Sequence, residues 1–178
     1  MNQHPDLSHE QRWWAQGYGR VAGLDEAGRG SWAGPVSAAV VILPPNAQIA
    51  GLLAPVRDSK RLTPRARERC YALIVARALD YGVGLASSGE IDSLGILPAT
   101  RLAMSRALDC LTLRPQALLI DALRLPQETL PQKALVRGDQ LCLSIAAASV
   151  LAKVTRDRLM VSLDDEYPGY GLGQHKGY

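Results

Sequence analysis

The sequence predicts an α/β protein in which helices pack on a mixed sheet. Two apolar segments rich in Val and Ala come first, and apolar segments then alternate with segments of helical periodicity. This alternation is typical of a sheet covered by helices, and the opening pair of strands makes the sheet mixed. The 178 residues are enough for one domain, whose core must be mainly aliphatic because the chain contains no Phe.

Short apolar runs bounded by Gly, Pro or Asp mark the strands. We expect the strands at residues 20–24, 36–43, 83–87, 117–120 and 133–136. The first helix should begin at Thr63-Pro64, because Thr is a good N-cap and Pro fits the first helical position. We expect the helices at about residues 63–79, 98–111 and 141–166. The connections should lie at residues 46–62, 88–97 and 122–132, with an exposed segment at 170–178.

The two ends of the chain and its bulk composition set further expectations. We expect residues 1–16 to be a loose leader or short helix and residues 17–178 to be one domain. The polar N-terminus is not a signal peptide, and no apolar stretch is long enough to cross a membrane. Three cysteines without CxxC spacing indicate free thiols in a reducing compartment, so we expect a cytoplasmic protein. The net charge of +3 does not by itself indicate nucleic acid.

The segment at residues 21–35 combines two adjacent acids with a glycine-rich turn. Asp25 and Glu26 follow the first apolar run, and Gly28-Arg29-Gly30 comes directly after them. Acids at the end of a buried strand are costly to desolvate unless a cation or a donor meets them, and glycines let the backbone approach a partner. The pattern suggests a metal ion and a phosphate-bearing ligand. A polar hairpin turn with two solvated acids is the alternative.

Two more acids stand at the ends of predicted elements. Asp121 follows an apolar strand as Asp25 does, and Asp139 precedes the long helix, where on its own it would be an N-cap. Ends of neighbouring strands converge in open α/β sheets, and converging carboxylates need a cation. Oxygen ligands without His or Cys favour Mg²⁺ or Mn²⁺ over Zn²⁺. Two such ions would suit phosphodiester hydrolysis.

The long helix carries a polar stripe that could hold backbone phosphates. Ser149, Lys153, Arg156 and Asp157 fall on one face, opposite Ala, Val and Leu. An ordinary amphipathic helix with its polar face in water is the alternative.

Together these stretches resemble the ribonuclease HII family. The matching motifs follow the family's order over roughly residues 20–178, which makes the match far more specific than one GRG motif. They are Gly23-Leu-Asp-Glu-Ala-Gly-Arg-Gly30 with Gly34-Pro35, Asp58-Ser-Lys60 with Leu62, Ala99-Thr100, Ala103-Met104, Ile120-Asp121, Gly138-Asp139, Ala146-Ala-Ala-Ser149, Ala152-Lys-Val154, Arg156-Asp-Arg158 and His175-Lys-Gly-Tyr178.

The resemblance implies a ribonuclease H-like fold, with a central five-stranded mixed sheet flanked by helices. It implies an endonuclease, dependent on Mg²⁺ or Mn²⁺, that cleaves RNA in RNA–DNA hybrids and incises 5′ of single ribonucleotides embedded in duplex DNA, leaving 3′-hydroxyl and 5′-phosphate ends. Such an enzyme would act in ribonucleotide excision repair, and we expect it to be a monomer.

The resemblance also implies roles for individual residues. The catalytic, metal-binding acids would be Asp25, Glu26, Asp121 and Asp139. The residues contacting the 2′-hydroxyl and phosphate at the RNA–DNA junction would be Gly28, Arg29 and Gly30. Tyr178 would pack on the deoxyribose that follows. The candidates for contacts with the nucleic-acid backbone are Lys60, Ser149, Lys153 and Arg156.

Family members continue past the Gly-Tyr motif at which this chain stops, so the sequence is expected to lack a C-terminal segment. Two other functions stay open at this point. One is a truncated module that binds the junction but turns over poorly, and the other is a general nuclease on the same fold.

Overall fold

Helices cover both faces of a five-stranded mixed sheet in the computed structural model, which describes residues 4–178. The strands are β1 Val21–Ala27, β2 Val36–Ile42, β3 Asp80–Ala86, β4 Ala117–Asp121 and β5 Gln132–Leu135. Their order in the sheet is β3-β2-β1-β4-β5. The first three strands in the chain pair antiparallel, whereas β4 pairs parallel with both β1 and β5.

Seven helices connect and cover the strands in the described part of the chain. They are α1 Ser8–Trp14, α2 Gln48–Leu52, α3 Pro64–Val75, α4 Ser88–Leu94, α5 Ile96–Asp109, α6 Leu143–Glu166 and α7 Leu172–His175. Two short 3₁₀ turns lie at Ser59–Arg61 and Gly138–Gln140. No helix within residues 4–178 is long and apolar enough to cross a membrane.

The predicted five-stranded mixed sheet is confirmed, but several strands and helices begin or end at residues other than the predicted ones. The most consequential difference is that β1 continues through Asp25 and Glu26, which therefore lie in the strand and not after it. Helix α4 occupies a segment that we expected to be a connection. Its start is a capping box, in which Ser87 and Glu90 satisfy each other's backbone N–H groups. The sequence pattern Ser-x-x-Glu could have predicted this helix.

The core consists of two layers, one on each face of the sheet. Helix α6 packs on the face that carries Ala39 and Val41, and α5 packs on the face that carries Leu24 and Val40. Gly23 lets β1 approach α6 closely, since a Cβ at this position would collide with the backbone of Ser144. The first half of α6 is therefore buried almost all round, and its position relative to β1 is fixed by backbone contact.

Of the two expectations for residues 1–16, the short helix is confirmed by α1 and the loose leader is wrong for residues 4–16, while residues 1–3 lie outside the described part. Asp6 forms a parallel bridge with Cys142, and Leu7 is buried against the domain. Glu10 on α1 is fully buried, and its Oε1 accepts a hydrogen bond of 2.7 Å from the backbone N–H of Ser144. Because Cys142 provides no side-chain cap, this acid from a distant helix caps the N-terminus of α6.

Candidate active site

The four acids singled out by the sequence lie at one edge of the sheet. Asp25 and Glu26 lie near the C-terminal end of β1, Asp121 ends β4, and Asp139 lies in the 3₁₀ turn before α6. The parallel strands β1 and β4 are paired up to the residue before Asp25 and Asp121, which places these two acids at adjacent positions. We refer to the four residues as the acidic cluster.

The charges of the acidic cluster act on one another. Burial raises the pKa of Asp25 well above its usual range, and the charges of Glu26, Asp121 and Asp139 raise it further. Burial, followed by the charge of Asp58, raises the pKa of Asp139 to about 6. Burial also raises the pKa of Glu26 and of Asp121. A cation placed among these groups would relieve both the repulsion and the desolvation.

The donor chemistry suits a hard divalent cation, but the side chains do not form a ready-made ligand shell. Within residues 4–178, no group of three or more His, Cys, Asp or Glu side chains is arranged so that it could hold a metal ion. Instead, the oxygens have protein partners: Glu26 pairs with Arg29 at 3.0 Å, and Asp121 Oδ1 accepts a 2.6 Å bond from the N–H of Gly138. Glu26 Oε2, however, is buried without a hydrogen-bond partner. This unpaired oxygen and the raised pKa values show that the residues present fit a divalent cation.

Asp58 is a fifth acid at this edge, and the sequence reasoning did not assign it to the site. It is 6% exposed, and its Oδ1 accepts a 2.9 Å bond from the N–H of Lys60. Both its charge and a hydrogen bond from its side chain raise the pKa of Asp139. The charge of Lys60 lowers the pKa of Glu26, Asp121 and Asp139, so this residue lies near the acidic cluster, and its contact with the nucleic-acid backbone stays a prediction. The Asp58-Ser59-Lys60 motif was the available signal for Asp58.

A groove of about 480 Å³ opens beside the acidic cluster. Its walls come from the Gly28-Arg29-Gly30 turn, Lys60 and the end of the chain. Gly30 has open space around its Cα, and the side chain of Arg29 is 40% exposed, so both can meet a ligand. The lining residues are Glu26, Ala27, Gly28, Arg29, Gly30, Lys60, Lys153 and Tyr178.

Only glycine fits at position 28, both because of its backbone conformation and because Arg156 lies close to its Cα. Its φ of +98° lies in the region that favours glycine, and a Cβ there would collide with Nε of Arg156. The turn is therefore shaped to fit against a side chain of α6. This contact explains the first glycine of the motif without any ligand.

Arg156 is fully buried, which makes the predicted direct contact with the nucleic-acid backbone wrong. Its Nε donates to the carbonyl of Pro35 at 2.8 Å and its Nη1 to that of Lys176 at 2.7 Å. Its Nη2 donates to Ser31 Oγ at 2.7 Å and to the carbonyl of Ala33 at 2.9 Å. Arg156 thus ties the loop after the glycine-rich turn to the C-terminal segment, an arrangement that we call the Arg156 clamp. Burial of the charge lowers the pKa of this guanidinium.

Ser149 is also misassigned as a direct contact, because it is 3% exposed. Its Oγ accepts a bond from the N–H of Ser59 and donates to the carbonyl of Ala146. Ser149 therefore positions the Asp58-Ser59-Lys60 segment. The polar stripe predicted on α6 faces the protein at these positions, since the loops of residues 31–35 and 57–62 cover it.

Lys153 and Tyr178 meet at the groove. Lys153 Nζ lies 4.8 Å from the centre of the Tyr178 ring and donates a 2.7 Å bond to Asp157. Tyr178 as a residue is 56% exposed, and the buried Arg156 guanidinium lies 5.3 Å from the centre of its ring. The predicted exposed segment at 170–178 is therefore partly wrong, because helix α7 and the buried Gly177 hold it against the domain.

Solved structures share this architecture. Ribonuclease H2 from Pyrococcus horikoshii OT3 superposes with a TM-score of 0.71 and 31% identity over 86% of this chain and 80% of that chain. Bst-RNase HIII, solved in complex with Mn²⁺, gives a TM-score of 0.66 over 84% of this chain and 55% of that chain, and at 23% identity it shows the fold alone. The fold and its acidic edge thus define a nuclease domain of the ribonuclease H-like class.

The sequence comparisons narrow this class to one family. The family model for ribonuclease HII matches residues 22–178. Ribonuclease HII of Dehalococcoides mccartyi is 55% identical over 174 residues, which is 98% of this chain and 82% of that protein. The chain belongs to the ribonuclease HII family and is a hydrolytic endoribonuclease.

Proposed function

We propose that this protein is a divalent-metal-dependent endonuclease that cleaves RNA in RNA–DNA hybrids and incises 5′ of a single ribonucleotide in duplex DNA. The observation that carries the proposal is the acidic cluster beside a groove lined by Gly28, Arg29, Gly30 and Tyr178. Acids alone would support phosphodiester hydrolysis in general. The groove adds a means of telling ribose from deoxyribose, which differ only in the 2′-hydroxyl.

The acidic cluster would hold the metal. Asp25, Glu26, Asp121 and Asp139 offer carboxylate oxygens, which Mg²⁺ and Mn²⁺ prefer. When bound, the metal supplies activation of water and stabilisation of the leaving oxygen. Glu26 would exchange its 3.0 Å pair with Arg29 for the cation, which frees Arg29 to meet a phosphate. The products would be a 3′-hydroxyl and a 5′-phosphate end.

The groove would recognise the junction. Backbone groups at Gly30, where no side chain intervenes, can approach a 2′-hydroxyl closely. The exposed face of the Tyr178 ring offers an apolar surface for the neighbouring deoxyribose, where a 2′-hydroxyl would be desolvated without a partner. Lys153, above the ring, holds it in place, and Lys60 would contact a phosphate. In this arrangement the groove recognises the sugar, and the acidic cluster beside it cleaves the adjoining phosphodiester.

A cleavage assay with three end-labelled duplexes tests the proposal. The substrates are a DNA duplex with one ribonucleotide, an RNA–DNA hybrid and an all-DNA duplex, each incubated with Mg²⁺, Mn²⁺ or EDTA. We expect products from the first two only, only with metal, and with the cut 5′ of the ribonucleotide. The Asp25→Asn variant should give none, while Asp92→Asn, which changes an exposed acid on α4, should match the parent.

Each other outcome has a defined meaning. Equal cleavage of the all-DNA duplex would indicate a general nuclease. Tight binding of the ribonucleotide duplex without products at any metal concentration would indicate a binding module. Undiminished cleavage by Asp25→Asn would show that cleavage does not depend on the acidic cluster.

A further inference from the structure

Trp32 is the most exposed large apolar side chain in the described part of the chain, at 96% of its surface. Its backbone is nevertheless fixed. The Trp32 N–H donates a 2.8 Å bond to the carbonyl of Gly177, and the next carbonyl, that of Ala33, accepts from Arg156. An indole ring that is held in water on an ordered loop gains nothing for folding, because it buries no surface. This arrangement points to a partner outside the chain.

The position of Trp32 indicates what that partner is. Its backbone lies between Gly30 and Gly177, which belong to the two segments that form the walls of the groove. The exposed aromatic side chains within residues 4–178 are Trp32, Tyr81, Tyr167, Tyr170 and Tyr178. Tyr178 lines the groove, and Trp32 is bound through its N–H to Gly177, the residue before Tyr178. Two of the five exposed aromatic residues, Trp32 and Tyr178, thus belong to the segments that border the groove beside the acidic cluster.

Cations accompany this aromatic surface. Arg29, Lys60 and Lys153 all line the groove beside which Trp32 is held. Basic groups that meet phosphates, together with aromatic rings that pack on bases or sugars, are the combination with which proteins bind nucleic acid. A hydrophobic protein partner would instead be expected to find further large apolar side chains around Trp32, whereas its chain neighbours Ser31, Ala33 and Gly34 are all small.

We propose that Trp32 is a nucleic-acid contact, in which the indole packs against a base or sugar beside the strand that occupies the groove. This inference rests on the proposed function and deepens it, because it adds an aromatic contact outside the acidic cluster and the junction-reading residues. Trp32 is not among the residues that line the groove at the acidic cluster. Its removal should therefore weaken substrate binding and raise KM, and should leave kcat unchanged.

The test compares Trp32→Ala and Trp32→Phe with the parent protein and with Leu113→Ala. Leu113 is a matched control, since it is also exposed and lies at the opposite end of the sheet. Affinity is measured in EDTA by fluorescence anisotropy of a labelled duplex with one ribonucleotide, so that no turnover is needed. We expect Trp32→Ala to raise Kd and KM about tenfold, Trp32→Phe to bind nearly as the parent, and Leu113→Ala to have no effect.

Intrinsic fluorescence gives a second readout. Trp13 and Trp14 are partly buried, so Trp32 should account for most of the quenching by acrylamide. Addition of the duplex should protect the parent from the quencher, and this protection should disappear in Trp32→Ala.

The outcomes separate this inference from the proposed function. Unchanged Kd, KM and quenching in Trp32→Ala, in an enzyme that cleaves the ribonucleotide duplex, would overturn the contact alone. A fall in kcat without a rise in Kd would also overturn it, because the indole would then act through the loop. If the parent protein binds the duplex but does not cleave it, the proposed function is refuted. The anisotropy measurement in EDTA would still decide whether Trp32 contacts the nucleic acid.

Discussion

The acidic cluster and the Arg156 clamp are neighbours, but they are built in opposite ways. In the cluster, burial and mutual repulsion raise the pKa of Asp25, and Glu26 Oε2 has no hydrogen-bond partner. In the clamp, all three nitrogens of a buried guanidinium donate to oxygens of two loops, at 2.7 to 2.9 Å. A cation would satisfy the cluster, whereas the donors of the clamp are satisfied within the protein. The group with an unpaired buried oxygen at this site, Glu26, is one that would do the chemistry, whereas the guanidinium that shapes the groove has a partner for each nitrogen.

Neutralising the cluster should produce the largest change in activity. We expect Asp25→Asn to lower kcat by on the order of 10³-fold or more, since the metal would lose a ligand. Stability should stay equal or increase, because a buried, repelled carboxylate is replaced by a neutral amide. Cleavage rates with Mg²⁺ and thermal unfolding in EDTA measure the two effects. A clear loss of stability would show that the cluster is not strained, and the contrast with the clamp would fail.

Breaking the clamp should cost both stability and activity. Arg156→Ala leaves the carbonyls of Pro35, Ala33 and Lys176 without their donor, so we expect a loss of about 3 kcal/mol in the free energy of unfolding. The loop and Tyr178 would lose their common support, and kcat/KM should fall on the order of 10- to 100-fold through KM.

Arg158→Ala is the matched control for this prediction. Arg158 lies on the same helix but pairs with Glu68 at the surface, where its side chain is 53% exposed. Its removal should cost less than about 1 kcal/mol and leave KM unchanged. Equal effects of the two variants in urea denaturation would contradict the clamp.

Substitution of Glu10 tests whether the Arg156 clamp and the acidic cluster depend on the position of α6. Glu10→Ala removes the acceptor at the N-terminus of this helix, and we expect a loss of about 1–2 kcal/mol in stability with an unchanged kcat. Glu10→Gln should lose less, since it keeps an acceptor oxygen. Gln11→Ala, on the exposed side of the same helix, is the control. A loss of activity larger than the loss of folded protein would mean that the N-terminal segment acts on the site directly.

The pH dependence of stability tests a single group of the acidic cluster, and its sign is unusual for a carboxylate. The pKa of Asp139 is raised from 3.8 to about 6 in the folded protein, so the folded state binds more protons than the unfolded state between these values. Its contribution to the free energy of unfolding therefore falls as the pH rises from about 4 to 6. In EDTA, Asp139→Asn should become more stable relative to the parent over this interval. A difference that is flat with pH, as we expect for Asp92→Asn, would refute the raised pKa.

Much of the fold could be predicted because local chemistry determines it. The strands are marked by short Val- and Ala-rich runs, and α3 begins at Thr63-Pro64, where the Thr63 side chain caps the helix as expected. The family motifs likewise identified the acids Asp25, Glu26, Asp121 and Asp139 from the sequence alone, and the roles of these acids stay predictions. Residue type and spacing carry this information because metal ligation requires particular atoms.

The errors have a common physical cause. Helical spacing placed Ser149 and Arg156 on a polar stripe, which suggested contact with nucleic acid. Whether a polar side chain faces water or a loop depends on segments distant in the chain, here residues 31–35 and 57–62. For the same reason Glu10 looked like part of a loose leader, although its partner lies 134 residues away.

The sequence by itself therefore determined the fold class, the family and the identity of the acids, because these follow from residue types at fixed spacing. Only the tertiary structure decided what each polar group is used for. The tertiary structure shows that Arg156 supports the groove and does not contact the substrate directly. It also shows that Trp32 is exposed on an ordered loop. Burial decides these roles, because a buried charge must find its partners within the protein, while an exposed group on a fixed backbone is free to bind another molecule.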